Sequence, residues 1–334
     1  MKKIFGLIAL LVLGMVIGCD DGEMTFNSFN FADGTPARCG DSNIYYKING
    51  TEVLMINFGA SPLVNVPTPE DAEGNDIPKM ITISGSNTIT YRNYSGTPNA
   101  NTLCSFPAPS SPTVVEEWSG QGTISVITDV IKNNDNIITG YSHKITLVDV
   151  SFTKDGETTR IVDNEFGSII TPIGLSFDFI TDGNELPTVR NCPENTLVFE
   201  RNGREALVLD FAPAMYPATI GQTTTITFTN EPDANEILFL VYAGSISNSH
   251  ICDVISPISP VLTQRWSAIS GTAVITSVPP SGVGGAPIEY QIRLNNVVFG
   301  KDSDESGETF AISDLVVPAD PSNPGEYYFG IYAP

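Results

Sequence analysis

The feature that most narrows the folds open to this chain is internal repetition. Cys39–Phe58 lies over Cys192–Phe211 without a gap at an offset of 153, matching Asn49-Gly50 to Asn202-Gly203, Glu52 to Glu205, Leu54 to Leu207 and Phe58 to Phe211. Tyr94-Ser-Gly96 with Leu103-Cys104 then answers to Tyr242-Ala-Gly244 with Ile251-Cys252, and Trp118 to Trp266, all at an offset of 148. The five residues that copy one holds in excess fall most simply in the polar stretch Thr68–Lys79. Ile145, Leu147, Val150 and Phe152 answer to Ile292, Leu294, Val297 and Phe299, and Gly174–Ile180 answers weakly to Gly325–Ile331. Similarity kept in order along the chain is tandem duplication, so each copy has to bury a core of its own.

The local pattern within each copy is that of strands. Asn-Gly between two apolar-alternating runs is the strongest short-range signal for a two-residue hairpin. In the strand after it, Leu54, Ile56 and Phe58 share one face, as do Leu207, Leu209 and Phe211. Apolar alternation at 145 and 147 changes phase to 150 and 152, and copy two makes the same change between 294 and 297. Period-two alternation survives a phase change only where an extra residue is accommodated, which predicts a β-bulge near Val148-Asp149 and Asn295-Asn296. With about eight short strands per copy, frequent turn signals and no amphipathic helix, the expected fold is all-β: two tandem antiparallel β-sandwiches. The order Cys, Cys, Trp differs from the Cys, Trp, Cys order of immunoglobulin domains, which leaves a loosely immunoglobulin-like sandwich and a jelly roll both open. Trp118 and Trp266 each follow the second cysteine of their copy by fourteen residues and are expected to pack beside the disulfides.

Lys2 and Lys3 precede an apolar run, Ile4–Ile17, that is too short to span a bilayer and reads as a secretory signal. Val16-Ile17-Gly18-Cys19 resembles the lipobox of bacterial lipoprotein precursors, which implies an acylated Cys19, with palmitate among the acyl groups, as the first mature residue. Asp20 and Asp21 resemble the acidic export signal of Bacteroidetes-type surface lipoproteins, implying an outer-membrane anchor and cell-surface display; the enterobacterial sorting rule would instead leave the protein facing the periplasm. No family is recognised for the mature domains. The expected organisation is a signal peptide over 1–18, a lipidated tether over 19–36, repeat 1 over 37–183 and repeat 2 over 184–334, divided at the polar stretch Thr181–Pro187.

Four of the five cysteines remain once Cys19 carries lipid, an even number in an oxidising compartment. The repeat selects Cys39–Cys104 and Cys192–Cys252, one staple per copy. Without the signal, 14 basic residues face 38 acidic ones, a net charge of −24 that repels phosphate backbones and excludes nucleic acid as a partner.

Candidate chemistry is sparse. Lys301–Glu308 opens like a calcium loop, with Asp302, Asp304 and Glu308 as the oxygen ligands, but Ser313 stands where a bidentate Glu is expected. Copy one has Lys154-Asp-Gly-Glu157 in the same place, so an ordinary hairpin turn lengthened by four residues is the competing reading. Thr68–Lys79 is a second acidic insertion. Gly282–Gly285 lacks the pattern of a phosphate cradle. Once the cysteines pair, His143 and His250 do not make up a zinc site, and no Gly-x-Ser-x-Gly elbow occurs. Tyr94, Tyr242 and the two tryptophans recur, as core positions must, whereas Tyr216 belongs to one copy and is the better candidate for stacking on a ligand. No catalytic residue and no cofactor beyond a structural calcium are expected. The leading expectation is a non-enzymatic surface lipoprotein, held to the membrane by its lipid, that binds a glycan, a protein or an outer-membrane uptake complex. A surface hydrolase of polysaccharide or peptide and a passive envelope spacer are the alternatives.

Overall fold

The computed structural model describes Phe29 and residues 31–60, 63–161, 164–179, 188–230, 234–255, 257–281, 287–302, 307–318 and 321–334. Cys19 and the rest of the lipobox, the stretch 181–187 and Asp304 lie outside these. The first repeat runs β1 (Ala37–Arg38), β2 (Ile44–Asn49), β3 (Glu52–Asn57), β4 (Lys79–Thr82), β5 (Thr88–Tyr94), β6 (Val114–Lys132), β7 (Ile138–Lys154), β8 (Glu157–Arg160) and β9 (Glu165–Pro172). The second runs β10 (Arg190–Asn191), β11 (Leu197–Asn202), β12 (Glu205–Asp210), β13 (Thr223–Thr227), β14 (Glu236–Tyr242), β15 (Leu262–Val278), β16 (Glu289–Lys301), β17 (Thr309–Ala311) and β18 (Glu326–Tyr332). Pairing is the same in both: β1-β2-β3-β5-β6-β7-β8 with β4 on β6 and β9 on β7 repeats as β10-β11-β12-β14-β15-β16-β17 with β13 on β15 and β18 on β16. The chain is thus two tandem antiparallel β-sandwiches. By contact density it divides into two units. One holds Met80–Ser125, Ile145–Gly167 and the described residues up to 60; the other holds Val126–Lys144, Ser168–Pro334 and 63–79. Among the described residues no helix is long and apolar enough to cross a membrane.

A single long hairpin serves both layers of the second sandwich. The first part of β15 pairs with β14 and its second part with β13, while β16 pairs first with β18 and then with β17. The crossing is the bulge that the phase change predicts: register shifts between Ala268 and Thr272, and Asn296 adopts φ +50°. Asp149 adopts φ +51° at the equivalent point of copy one. Opposite each bulge stands a glycine, and a Cβ on Gly122 or Gly271 would come within 2.8 or 2.6 Å of the carbonyl oxygen of Asp149 or Asn296. The extra residue turns Val297 and Phe299 back into the core that Ile292 and Leu294 already face, beside Ile275 and Phe329.

Both disulfides form as the repeat pairs them, Cys39–Cys104 and Cys192–Cys252. Each second cysteine ends a short helix, α1 (Ala100–Cys104) or α2 (Ser249–Cys252). The tryptophans do not pack beside them. Trp266 pairs across the sheet with Phe239, and paired residues share a face, so its ring enters the main core against Phe310. Tyr242 lies on the opposite face and packs with Cys192, as Tyr94 packs with Cys39. Tyrosine, not tryptophan, covers each bridge.

Two readings of chain segments are corrected by burial. Leu175–Phe179 falls within the span expected of repeat 1 yet fills the core of repeat 2. Leu175, Phe177 and Phe179 are coil, and they lie in the core of the second repeat, where Phe177 meets Phe239 at 5.1 Å and Tyr327 at 5.4 Å. Within the expected tether, Phe29 and Phe31 are likewise buried, Phe29 stacking on Tyr91 at 3.7 Å, while β1 (Ala37–Arg38) opens at the first residue expected of repeat 1. At Phe177 the physical cause is a clasp: the buried Glu205 carboxylate accepts the Ser176 N–H (2.9 Å), the Ser176 hydroxyl (2.8 Å) and the Phe177 N–H (2.8 Å), satisfying backbone donors of a segment with no ladder.

The duplicated position in β2 and β11 carries a base in one copy and an acid in the other. Lys47 is buried and donates to the Glu165 carbonyl at 3.3 Å, whereas Glu200 is fully buried and accepts the Tyr327 hydroxyl at 2.7 Å. The second Glu200 oxygen has no hydrogen-bond partner. Burial pushes this carboxyl well above its usual range, which favours its protonated form.

Two predictions follow from this packing. Cys252→Ser releases a closed loop of 60 residues, costs about 4 kcal/mol in the chain-entropy model, and lets limited proteolysis cut the second repeat first; equally early cuts in both repeats would contradict it. The unfolded chain ionises Glu200 above about pH 4.5 and the fold only at higher pH, so native stability at this position is full below about pH 4.5 and declines as pH rises toward the folded pKa. Glu200→Gln should therefore raise the melting temperature at pH 8 more than at pH 4.5.

Candidate functional site

Each repeat carries a tryptophan roofed by a lysine. Lys154 Nζ lies 5.7 Å from the Trp118 ring centre and Lys301 Nζ 5.4 Å from that of Trp266. In copy one the lysine is paired with Glu116 at 2.9 Å, on the neighbouring strand. In copy two the equivalent of Glu116 is Gln264, whose Oε1 accepts the Trp266 indole N–H at 3.0 Å. The carboxylate for Lys301 comes instead from Glu308, at 2.7 Å, at the far end of the lengthened turn.

Beside this pair is a cavity of about 220 Å³ whose polar lining includes Asn65, Gln264, Lys301 and Glu308, with Tyr141 and Trp266 among its walls. The Asn65 N–H donates to Glu308 Oε1 at 3.3 Å, so both carboxylate oxygens are held. The Asn65 side chain ends a directed chain of hydrogen bonds. The Thr171 hydroxyl donates to Asn65 Oδ1 (2.6 Å), which leaves its oxygen to accept from His143 Nε2 (2.9 Å), while His143 Nδ1 accepts from the Thr128 hydroxyl (2.9 Å). Burial pushes the His143 pKa down to about 4, so the ring is neutral at pH 7. In this tautomer its proton already points at Thr171, and the ring does not act as a base toward that hydroxyl.

Two of the residues singled out as calcium ligands, Asp302 and Glu308, face cations of the protein itself. Asp302 sits 3.3 Å from Arg265, and Glu308 is the partner of Lys301. Asp304 lies outside the described residues. Among those described, no three His, Cys, Asp or Glu side chains converge on a metal-sized site. Tyr216 is no exposed platform: it packs between Tyr290 and Tyr332 at 5.0 and 5.5 Å, its hydroxyl buried without a hydrogen-bond partner.

The feature that sequence reasoning missed lies just past each disulfide. Phe106 and Val254, each two residues beyond the second cysteine, are 102% and 100% exposed. After Val254 come Ile255 at 87% and Ile258 at 90%, with Val261 and Leu262 more than half and nearly half exposed. The base of this loop is fixed: Ser247 N–H donates to His250 Nδ1, His250 Nε2 then donates to the Ser259 carbonyl at 3.2 Å, and Ala243 N–H meets the Val261 carbonyl. Val254-Ile255 and Ile258 interleaved with Pro257 and Pro260 was a visible signal, since so apolar a run after a helix has no strand alternation to bury it. No family model, curated protein or solved structure matches the chain.

His143 supplies a pH test of the hydrogen-bonded chain. Its folded pKa is lowered from 6.5 to about 4, so the stabilisation is complete above pH 6.5 and is lost as pH falls toward 4. Over that window it amounts to at most about 3 kcal/mol. Denaturant unfolding at pH 4.5 and pH 7 should show a smaller difference for His143→Gln than for the natural chain.

Proposed function

We propose that this chain is a non-enzymatic lipoprotein, anchored through Cys19 in the outer membrane and displayed at the cell surface, that engages a protein partner through the loop following its second disulfide. The observation that carries the reading is the recurrence of a fully exposed apolar side chain at the same position of both copies, Phe106 and Val254. Duplicated apolar positions are retained to build cores; these two build none. Full burial of Val254, Ile255 and Ile258 against a partner would contribute about 5–9 kcal/mol gross, before the costs of association, so these side chains anchor a weak, reversible contact that needs further interactions around them. Pro257 and Pro260 restrict the loop and reduce the entropy lost on docking.

Charge favours a protein over a bilayer as the partner. Interfacial membrane loops surround their apolar tip with Lys and Arg, and residues 253–264 contain neither. The corresponding loop of copy one runs straight into Glu116 and Glu117.

A photocrosslinking residue at position 258 on intact cells is expected to yield a discrete protein adduct, lost on combining it with Val254→Ser and Ile255→Ser. The same probe at exposed Thr225 serves as control. Adducts no stronger than that control, or adducts to lipid alone, would overturn the binding reading. Failure of Cys19→Ser to release the protein from the membrane fraction would overturn the anchor.

A further inference from the structure

We propose that the cavity beside Trp266 is a binding site for one neutral sugar ring. Its size suits a single ring of that polarity. At about 220 Å³ it holds the volume of about seven waters and falls below the ~300–1,000 Å³ usual for larger organic ligands. Its electrostatics select against charge. Lys301 and Glu308 neutralise one another at 2.7 Å, and the second Glu308 oxygen is taken by the Asn65 N–H, so neither an anion nor a cation finds an uncompensated partner. What the lining offers is a mixture of donors and acceptors on the amides of Asn65 and Gln264, set among the apolar walls of Ile173 and Leu175. Hydroxyls around a carbon ring match that mixture.

The duplication provides an internal control. Trp and the lysine above it are common to both copies, as expected of structure. The residues that give the cavity its character are the ones that differ: Gln264 replaces Glu116, Glu308 stands at the end of a lengthened turn, and Asn65 precedes the segment in which copy one is longer. A position released from its duplicated duty in one copy only is where a ligand requirement can be written. This site is separate from the exposed loops, and its test uses purified protein, so either reading can fail alone.

Trp266 and Trp118 are the only two indoles, and Trp118→Phe would leave Trp266 as the sole reporter. Titration calorimetry on the natural chain keeps the test open if that variant does not fold. Glucose, galactose, mannose and N-acetylglucosamine, with glucuronate and glucosamine as charged counterparts, are the probes. At least one neutral sugar is expected to bind saturably at millimolar concentration and to shift Trp266 emission. Gln264→Glu, which restores the residue that copy one already carries beside the same Trp and Lys, should weaken binding at least tenfold. Absence of a saturable signal with every neutral sugar, unchanged binding in Gln264→Glu, or tighter binding of either charged counterpart would overturn the proposal.

Discussion

The architecture depends on one hairpin being shared between two layers. A strand pair that pairs outward on one side at its start and on the other at its end has to break its own alternation midway, or half its apolar side chains would face water. The bulges at Asp149 and Asn296, both with positive φ, supply that break, and Gly122 and Gly271 supply the room, because the opposing carbonyl occupies the space of a side chain. In the second repeat, Ile292, Leu294, Val297 and Phe299 consequently reach one core although their spacing changes in the middle. The identical pairing of the eighteen strands in two sets shows that this device was duplicated with the rest.

Much of this was legible in the sequence because it obeys local rules or repeats. Asn-Gly turns, the phase change and the cysteine pairing each have a spacing that survives in both copies. Burial without a ladder left no such trace. The expected boundaries put Phe29 and Phe31 in the tether and Phe177 and Phe179 in repeat 1, although Ser-Phe-Asn-Phe and Ser-Phe-Asp-Phe stand 148 residues apart, the same offset that aligns the tyrosines and tryptophans. The position of Trp266 was misjudged because sequence distance from a cysteine does not report the face of a strand, whereas its pairing with Phe239 does. The candidate cavity was illegible in principle: Asn65 and Glu308 are 243 residues apart and meet only in the folded chain.

Comparing the copies separates what the fold requires from what it tolerates. The carboxylates Glu52 and Glu205 persist, one accepting from Tyr91 and the other clasping Ser176 and Phe177. Lys47 and Glu200 show the contrary case, a buried polar position where a base has been exchanged for an acid, each hydrogen-bonded to a different group of its own repeat. Burial alone therefore does not prescribe the sign of a side chain; the acceptor or donor waiting opposite it does.

The clasped Phe177 and Phe179 have a consequence for how the molecule can be divided. These rings arrive only five and seven residues beyond Pro172, the last residue of β9, so the second sandwich is completed by chain that a cut at the polar linker would leave attached to the first. A fragment begun at residue 184 would inherit an unfilled slot bounded by Phe239, Tyr327 and three unclaimed lone-pair contacts on Glu205, and the detached first half would end in a loose aromatic plug able to enter it.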